Sequence, residues 1–249
     1  MKKFNLKDFV RKFILKSKKT SDDILNDLRK GGAEIGEDVL IYSTGKTLID
    51  SSSPYLLKIG SHVRIAEGTK ILTHDYAWSV LKTLSSDGVC PGQILGAQSA
   101  VEIGNNVFIG MNTIITRGVT IGNNVVIGAG SVVTKDCPSN GVYAGNPARL
   151  IMSIEAYYQK REALQFEEAR EIAVRYRKRF GKLPPKQVFS EYFMLFCDAQ
   201  SANEVDVFHA QMTRMGNYEE TVRYMSEHKA RFTDYESFLE ACYQDWSEG

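Results

Sequence analysis

Aliphatic residues recur at every sixth position through the middle of this chain. The longest unbroken run comprises Ile103, Ile109, Ile115, Ile121, Ile127 and Val133; a second comprises Ile59, Ile65 and Ile71, and a third begins with Ile35 and Ile41. Neither the 3.6-residue turn of an α-helix nor the alternation of a strand produces a period of six over this length. A triangular β-solenoid does, because three hexads complete one coil and successive coils pair as parallel strands. A β-sandwich is the alternative, but its turns come at irregular spacings.

The two long runs are out of phase with each other, since Ile71 and Ile103 are not separated by a multiple of six residues. The solenoid is therefore interrupted at about residues 76–101. Glycine and proline in this interval predict a protruding loop: Gly88, Pro91, Gly92 and Gly96. Long loops inside regular folds are often functional. Elsewhere, the glycine and asparagine residues of the hexads are expected to supply the unusual backbone angles of the corners.

Composition divides the chain into three segments. We predict an N-terminal helical segment at residues 1–34, a mainly β solenoid at residues 35–151, and an α-helical extension at residues 152–249. The change is abrupt, because Glu, Arg, Ala, Tyr and Phe replace the Ile-Gly-Asn pattern after the solenoid. The aromatic residues of the extension are expected to form core and interfaces.

Capping signals place the helices within these segments. Ser21 is expected to cap a helix through Arg29, and Ser153 to cap a long helix that ends before Gly181. A second helix of the extension is expected at residues 186–196. Ahead of a last helix, Thr233 and Glu236 have the spacing of a capping box.

Bulk composition narrows the class of protein. The 249 residues carry a formal net charge of +1, which gives no argument for a nucleic-acid partner. Four cysteines without a CxxC pair indicate free thiols of a reducing compartment. No apolar run has membrane-spanning length, and no secretory h-region is present, so we expect a cytoplasmic protein.

The first 20 residues combine eight basic side chains with one acid, Asp8, and interleaved Phe4, Phe9 and Phe13. This pattern fits a helix that lies weakly on an anionic membrane surface, peripheral at the inner face, where it would suit a lipid-linked acceptor. The alternative, which we prefer, is a helix that caps the first coil and keeps its lysines in solvent.

One histidine stands apart from the other three. His209 and His228 lie in the extension, and His62 occupies a solvent-facing position of a hexad. His74 ends a hexad run just where the loop begins. An imidazole titrates near neutral pH, so it can accept a proton from an attacking hydroxyl. A plain surface histidine is the alternative interpretation.

Two stretches carry a family resemblance. IDSSSPYLLKIGSHVRIAEGTKILTHDYAWSVLK, at residues 49–82, resembles the THD-containing branch of bacterial hexapeptide-repeat O-acetyltransferases, which commonly serve capsule, O-antigen and exopolysaccharide synthesis. VEIGNNVFIGMNTIITRGVTIGNNVVIGAGSVVTKDCPSNGVYAGNPARLI, at residues 101–151, is similar to the CoA-binding end of that family. The resemblance implies a left-handed parallel β-helix, acetyl-CoA as co-substrate, a homotrimer, and a small-molecule or lipid-linked sugar as acceptor.

By this resemblance His74 is the general base, and the acceptor oxygen attacks the thioester directly, without an acyl-enzyme. A third group is expected to orient the imidazole: Asp50 or a backbone carbonyl is at least as plausible as Asp75, because neighbours on a strand point to opposite faces. Acceptor-site candidates are Asp50, Glu67, Asp75, Tyr76 and Trp78. The alternatives are solvated carboxylates, and aromatic rings that pin the loop to the solenoid.

The resemblance also implies a CoA groove between adjacent subunits. The matching positions are Met111, Ala129, Gly130, Thr134, Lys135, Asn146, Pro147 and Arg149. Small residues at Ala129 and Gly130 let pantetheine approach the backbone. Lys135 and Arg149 offer charge to the phosphates, unless they are simply solvated. Met111 departs from relatives that carry Ser there, which puts a side-chain contact at this position in doubt.

Other functions fit less well. An N-acetyltransferase acting on an amino-sugar and an antibiotic O-acetyltransferase would use the same base. A carbonic-anhydrase-type lyase needs three histidines around zinc, whereas only His62 and His74 lie in the solenoid, so no metal is expected. A catalytically silent scaffold remains the alternative from another class, because fold alone does not fix function.

Overall fold

The computed structural model describes residues 19–84, 92–214 and 216–244. Helix α1 (Ser21–Lys30) comes first. Fourteen short strands follow it within the described residues: β1 (Glu34–Ile35), β2 (Leu40–Ile41), β3 (Leu48–Ile49), β4 (Leu57–Ile59), β5 (Val63–Ile65), β6 (Lys70–Ile71), β7 (Val101–Ile103), β8 (Val107–Ile109), β9 (Ile114–Ile115), β10 (Thr120–Ile121), β11 (Val125–Ile127), β12 (Val132–Val133), β13 (Gly141–Ala144) and β14 (Arg149–Ser153). After the strands, the described residues contain five α-helices: α2 (Ile154–Phe180), α3 (Ala199–Asn203), α4 (Asp206–Arg214), α5 (Tyr218–Glu227) and α6 (Tyr235–Tyr243).

The strands wind into a three-faced β-helix. In the part of the chain that is described, they form one sheet in the order β1-β4-β7-β10, a second in the order β2-β5-β8-β11-β13-β14, and a third in the order β3-β6-β9-β12. All pairings are parallel except that of β13 with β14, which is antiparallel. Each parallel pairing joins strands one coil apart, as the six-residue period predicts. The expectation of a parallel β-helix is thus confirmed.

Register stacks the hexad aliphatic residues into inward columns. Ile59 pairs with Ile103, Ile65 with Ile109, and Ile71 with Ile115. All of these side chains are buried almost completely. Helix α1 adds Leu25 and Leu28 to the same core, next to the first coil. Burial of aliphatic surface at about 25 cal/mol per Å² is the main stabilising contribution of such a column.

The hexad glycines serve two purposes, of which only the first was expected from sequence. Asparagines and some of the hexad glycines take the left-handed corner angles: φ is 55° at Asn106, 54° at Asn124 and 76° at Gly118. The Asn106 amide donates to Asn124 Oδ1 at 2.9 Å, which links successive coils. At Gly104, by contrast, an added Cβ would lie 2.8 Å from the backbone of Gly122. Glycine is needed there because the coils approach too closely for a side chain.

The interruption after β6 lies where the broken phase predicts it. Strand β6 ends at Ile71 and β7 begins at Val101. Between them, residues 77–83 form a 3-10 helix, and His74 makes an isolated antiparallel bridge with Gln98. Gly88 and Pro91, two of the predicted loop residues, lie outside the described residues.

The chain divides into two compact units, residues 1–157 and 158–249, so the boundary falls a few residues beyond the predicted one at 151. The second unit has its own core, in which Phe189, Phe208 and Phe238 are fully buried. Among the described residues, no helix is long and apolar enough to span a bilayer. Residues 1–20, for which a helix capping the first coil was preferred over a weak membrane contact, lie almost wholly outside the described residues.

Helix boundaries agree with the sequence in part. Ser153 accepts a hydrogen bond from the Ala156 amide at the start of α2, as predicted. The N-cap of α1 is Thr20 and not Ser21. The predicted helix at 186–196 is wrong, since two short 3-10 turns, Lys186–Phe189 and Phe193–Leu195, occupy it.

The predicted capping box of the last helix is also wrong, because Asp234 and Ser237 form it, one residue later. The Asp234 side chain accepts from the Ser237 amide at 2.7 Å, and the Ser237 hydroxyl approaches the Asp234 amide at 3.2 Å. The sequence predicted Thr233 and Glu236 in place of these two short polar residues.

Candidate active site

His74 and Asp50 meet at one corner of the solenoid. The parallel register that pairs Ile49 with Ile71 brings Asp50, which follows β3, beside the residues that follow β6. His74 Nδ1 lies 2.5 Å from Asp50 Oδ2. The imidazole side chain is 44% exposed, whereas the carboxylate is 5% exposed. A buried carboxylate therefore contacts the inner nitrogen of a histidine that reaches solvent.

Hydrogen bonds hold the Asp50 carboxylate in its ionised form. Burial alone would raise its pKa, but hydrogen bonds from Thr73, Ser52 and His74 outweigh this effect and lower the pKa well below its ordinary value. The Thr73 hydroxyl donates to Oδ2 at 2.6 Å, and the Ser52 amide and hydroxyl donate to Oδ1 at 2.9 and 2.7 Å. An ionised carboxylate only accepts hydrogen bonds, so Nδ1 of His74 carries the proton. In the neutral imidazole, the lone pair is then on the other ring nitrogen, Nε2.

These contacts separate the predicted roles of Asp50 and Asp75. Asp75 does not touch His74: its Oδ1 accepts from the Ala77 amide at 2.6 Å, and its Oδ2 lies 3.8 Å from Arg117 Nε. Asp50 is buried and its oxygens are engaged with protein donors. Its placement therefore favours the orienting alternative over contact with an acceptor.

A depression of about 320 Å³ opens beside His74. Its lining consists of Leu72, His74, Asp75, Tyr76, Thr116 and Arg117. Tyr76 is exposed, and its ring contacts that of Trp78 at a centroid distance of 4.9 Å. The structure thus brings Asp75 and Tyr76 next to His74, with Trp78 packed against Tyr76.

Glu67 lies at a different corner. It precedes β6, whereas His74 follows that strand. Its carboxylate pairs with Lys46 and accepts from the Ser43 hydroxyl at 2.6 Å. These donors lower its pKa. Glu67 is therefore not brought together with His74, and its 29% exposed carboxylate has its partners on Lys46 and Ser43.

The predicted CoA positions lie next to the third sheet. Met111, Ala129 and Gly130 lie at the corners that precede its strands, and the Gly130 amide donates to the Met111 carbonyl at 2.7 Å. Asn146 and Pro147 lie between β13 and β14, beside Val132 of β12, whose amide and carbonyl bond to the flanking Gly145 and Ala148. Thr134 and Lys135 follow β12, at the same corner as His74, and Arg149 begins β14. All eight residues are exposed. A Cβ placed on Gly130 would meet nothing within 4 Å, which leaves the backbone open to an extended ligand.

Sequence reasoning missed Ser52, Thr73, Thr116 and Arg117. A signal was available, because the positions that follow the aliphatic residue of each hexad stack in register. The Asp50 amide donates to the Ile71 carbonyl, and the Leu72 amide to that of Ile115, so the three-residue steps after β3, β6 and β9 lie one above another. Over the described ranges, no group of three or more His, Cys, Asp and Glu side chains is arranged to hold a metal ion.

Comparison with known proteins places the chain among hexapeptide-repeat proteins. The family model "Bacterial transferase hexapeptide (six repeats)" matches residues 100–135. Protein CapG of Staphylococcus aureus is 46% identical over 133 residues, which cover 53% of this chain and 73% of that protein. With these matches, the left-handed parallel β-helix with a helical C-terminal segment is confirmed.

Solved structures give partial superpositions. A maltose O-acetyltransferase from Clostridium difficile 630 is 29% identical, covering 59% of this chain and 84% of its own, with a TM-score of 0.39. A galactoside acetyltransferase in complex with coenzyme A is 31% identical, covering 53% of this chain and 70% of its own, also with a TM-score of 0.39.

Proposed function

Because the chain belongs to the bacterial hexapeptide-repeat acetyltransferase family, we propose that it transfers an acetyl group from acetyl-CoA to a hydroxyl of a sugar or polysaccharide precursor. The observation that carries this proposal is the contact between His74 and the buried, ionised Asp50. A histidine held in one tautomer by a carboxylate is the arrangement that acyl transfer to a hydroxyl needs.

His74 acts first as base and then as acid. Its Nε2 takes the proton of the acceptor hydroxyl while the oxygen forms a bond to the thioester carbonyl carbon. When the tetrahedral intermediate collapses, the C–S bond breaks and the proton returns from Nε2 to the CoA sulfur. Asp50 stays ionised throughout and stabilises the imidazolium that forms between the two transfers.

The donor lies along the third sheet, and the acceptor lies in the depression beside His74. The exposed backbone at Ala129 and Gly130 suits the amides of pantetheine, and the cations of Lys135 and Arg149 suit its phosphates. On the acceptor side, Tyr76 is an exposed ring next to the base, and aromatic faces pack well on the apolar faces of sugars. His74 thus stands between two surfaces of different chemistry.

The proposal includes the assembly of three copies of this chain into a homotrimer. Large apolar side chains project from the solenoid: Leu48 and Phe108 on its faces and Met111 at a corner are between 44% and 51% exposed. Packing these faces against other copies would bury them and would supply the second wall of the CoA groove. Light scattering coupled to size exclusion tests this directly, since a mass of three chains is expected.

The test of function is thiol release from acetyl-CoA with a panel of neutral sugars, acidic sugars and amino-sugars. Release that depends on a hydroxyl acceptor, and that His74→Ala abolishes while CoA still binds, supports the proposal. Release confined to amino-sugars would instead indicate N-acetylation. Absence of turnover together with absence of CoA binding would favour a silent scaffold.

A further inference from the structure

The helical unit contains a ligand-sized cavity that acetyl transfer does not use. Its volume is about 500 Å³, within the rough range of 300–1,000 Å³ typical of small-molecule sites. The walls come from α2, the Phe193–Leu195 turn, α5 and residues 228–231. All of these belong to the unit formed by residues 158–249, which has its own buried core.

One part of the cavity wall is apolar, and two polar side chains belong to the same wall. Phe166, Met194, Leu195 and Met225 supply the apolar surface, and Leu195 and Met225 also belong to the core of the unit. The side chains of Gln165 and Glu162 add an amide and a carboxylate to the same lining. Such a surface suits an apolar ring with polar edges.

A pair of stacked rings forms another part of the lining. Tyr224 and His228 lie 4.2 Å apart at an interplanar angle of 14°. Tyr224 lies in the last turn of α5, and His228 is the residue that directly follows this helix. His228 Nδ1 lies 3.0 Å from the Tyr224 carbonyl, which fixes the second ring. Both rings remain exposed, so a planar ligand can extend the stack.

Cations complete the lining. Arg161 is paired with Glu168, so Lys229 and Arg231 provide the charge that remains for a ligand. Neither of these two residues makes an ion pair with any other residue of the described chain. The Arg231 guanidinium lies 4.4 Å from the centroid of the Phe166 ring. Stacking occupies the face of a guanidinium and leaves the N–H donors at its edge available for an anion.

We propose that this cavity binds a nucleoside phosphate. The base stacks against Tyr224 and His228 above the apolar surface, and the phosphate is held by Lys229 and Arg231. Gln165 is placed to hydrogen-bond the polar edge of the base. A nucleotide-linked sugar and the nucleotide end of CoA share this chemistry, so both are tested as sources.

The experiment measures binding of N-methylanthraniloyl-ADP to the full chain by fluorescence anisotropy. Saturable binding is expected. Arg231→Gln should weaken it by roughly tenfold or more, because charge-assisted hydrogen bonds to phosphate are lost. Arg231→Lys should give an intermediate loss, since a point charge replaces a planar fork. Arg179→Gln, an exposed arginine outside the cavity, is the matched control and should change nothing.

A second pair of variants guards against a loss of folding. Tyr224→Phe keeps the ring and should bind as wild type, whereas Tyr224→Ala should weaken binding by about fivefold or more. Circular dichroism verifies that each variant is folded.

Competition with unlabelled UDP-glucose and with CoA identifies the source. If either ligand displaces the labelled probe, and if Arg231→Gln weakens that competition, the site is supported and its occupant is identified. The proposal is overturned if the probe shows no saturable binding at millimolar concentration. It is also overturned if Lys135→Gln weakens binding of the probe and Arg231→Gln leaves it unchanged. Lys229 and Arg231 then serve only to stabilise the C-terminal end of α5.

Discussion

Replacing Asp50 by Asn tests the proposed mechanism most directly. The substitution keeps the shape of the side chain but turns one acceptor oxygen into an amide donor. In the native site, both oxygens face donors: Ser52 on one side, and Thr73 with His74 on the other. Whichever way the amide turns, its NH₂ group faces hydrogen-bond donors. If it faces His74, it donates to Nδ1 and selects the tautomer whose Nε2 already carries a proton.

The expected loss follows from that change of tautomer. A positioned general base contributes about 10² to 10⁴ in rate, and a carboxylate-to-amide change behind a catalytic histidine costs about 10⁴ in a well-studied triad. We therefore expect kcat of Asp50→Asn to fall by about 10³-fold or more. Stability should fall as well, by about 1–3 kcal/mol, because buried donors lose their acceptor.

Thiol release from acetyl-CoA with a saturating acceptor measures the effect on kcat, and thermal unfolding measures the effect on stability. Glu67→Gln is the matched control, since it makes the same chemical change at a carboxylate that lies at another corner and pairs with Lys46. Its kcat should stay within about twofold of wild type. A folded Asp50→Asn protein with near-native kcat would refute the assignment of Asp50 and, with it, the tautomer argument for His74.

Three further predictions concern packing, the donor and acid stability. Gly104→Ala should lower stability by about 1–3 kcal/mol, because its Cβ meets the Gly122 backbone, whereas Gly45→Ala, where a Cβ meets nothing, should be close to neutral in thermal unfolding. Lys135→Gln should raise KM for acetyl-CoA by about two- to fivefold and leave kcat nearly unchanged, as steady-state kinetics will show. The lowered pKa of Asp50 stabilises the folded state above the unfolded value near about 3.9, and this contribution is lost as pH falls through the lower folded pKa. Urea titrations from about pH 6 down to about pH 2 should show the first part of that loss below about pH 5 in wild type, and a smaller loss in Asp50→Asn.

The period of six predicted most of the solenoid, because one repeated physical requirement governs every coil. Each hexad must bury one aliphatic residue and turn one corner, so phase alone located the strands and the break after Ile71. The reason for glycine was less visible, since close approach between coils depends on the packed structure. Outside the repeat, the start of the last helix depends on local capping hydrogen bonds, which Asp234 and Ser237 make in place of the predicted pair.

The pairing of His74 with Asp50 follows from the phase of the repeat and not from distance along the chain. His74 stood out from its position at the end of a run, but its partner lies 24 residues earlier, and spacing along the chain does not reveal it. Phase does: Ile49 and Ile71 occupy equivalent positions, so Asp50 must lie beside the residues that follow β6. Asp75 is closer in sequence yet is held by the Ala77 amide, on the side of Arg117. In a solenoid, therefore, residues of equivalent phase in adjacent coils are better candidates for catalytic partners than residues adjacent in sequence.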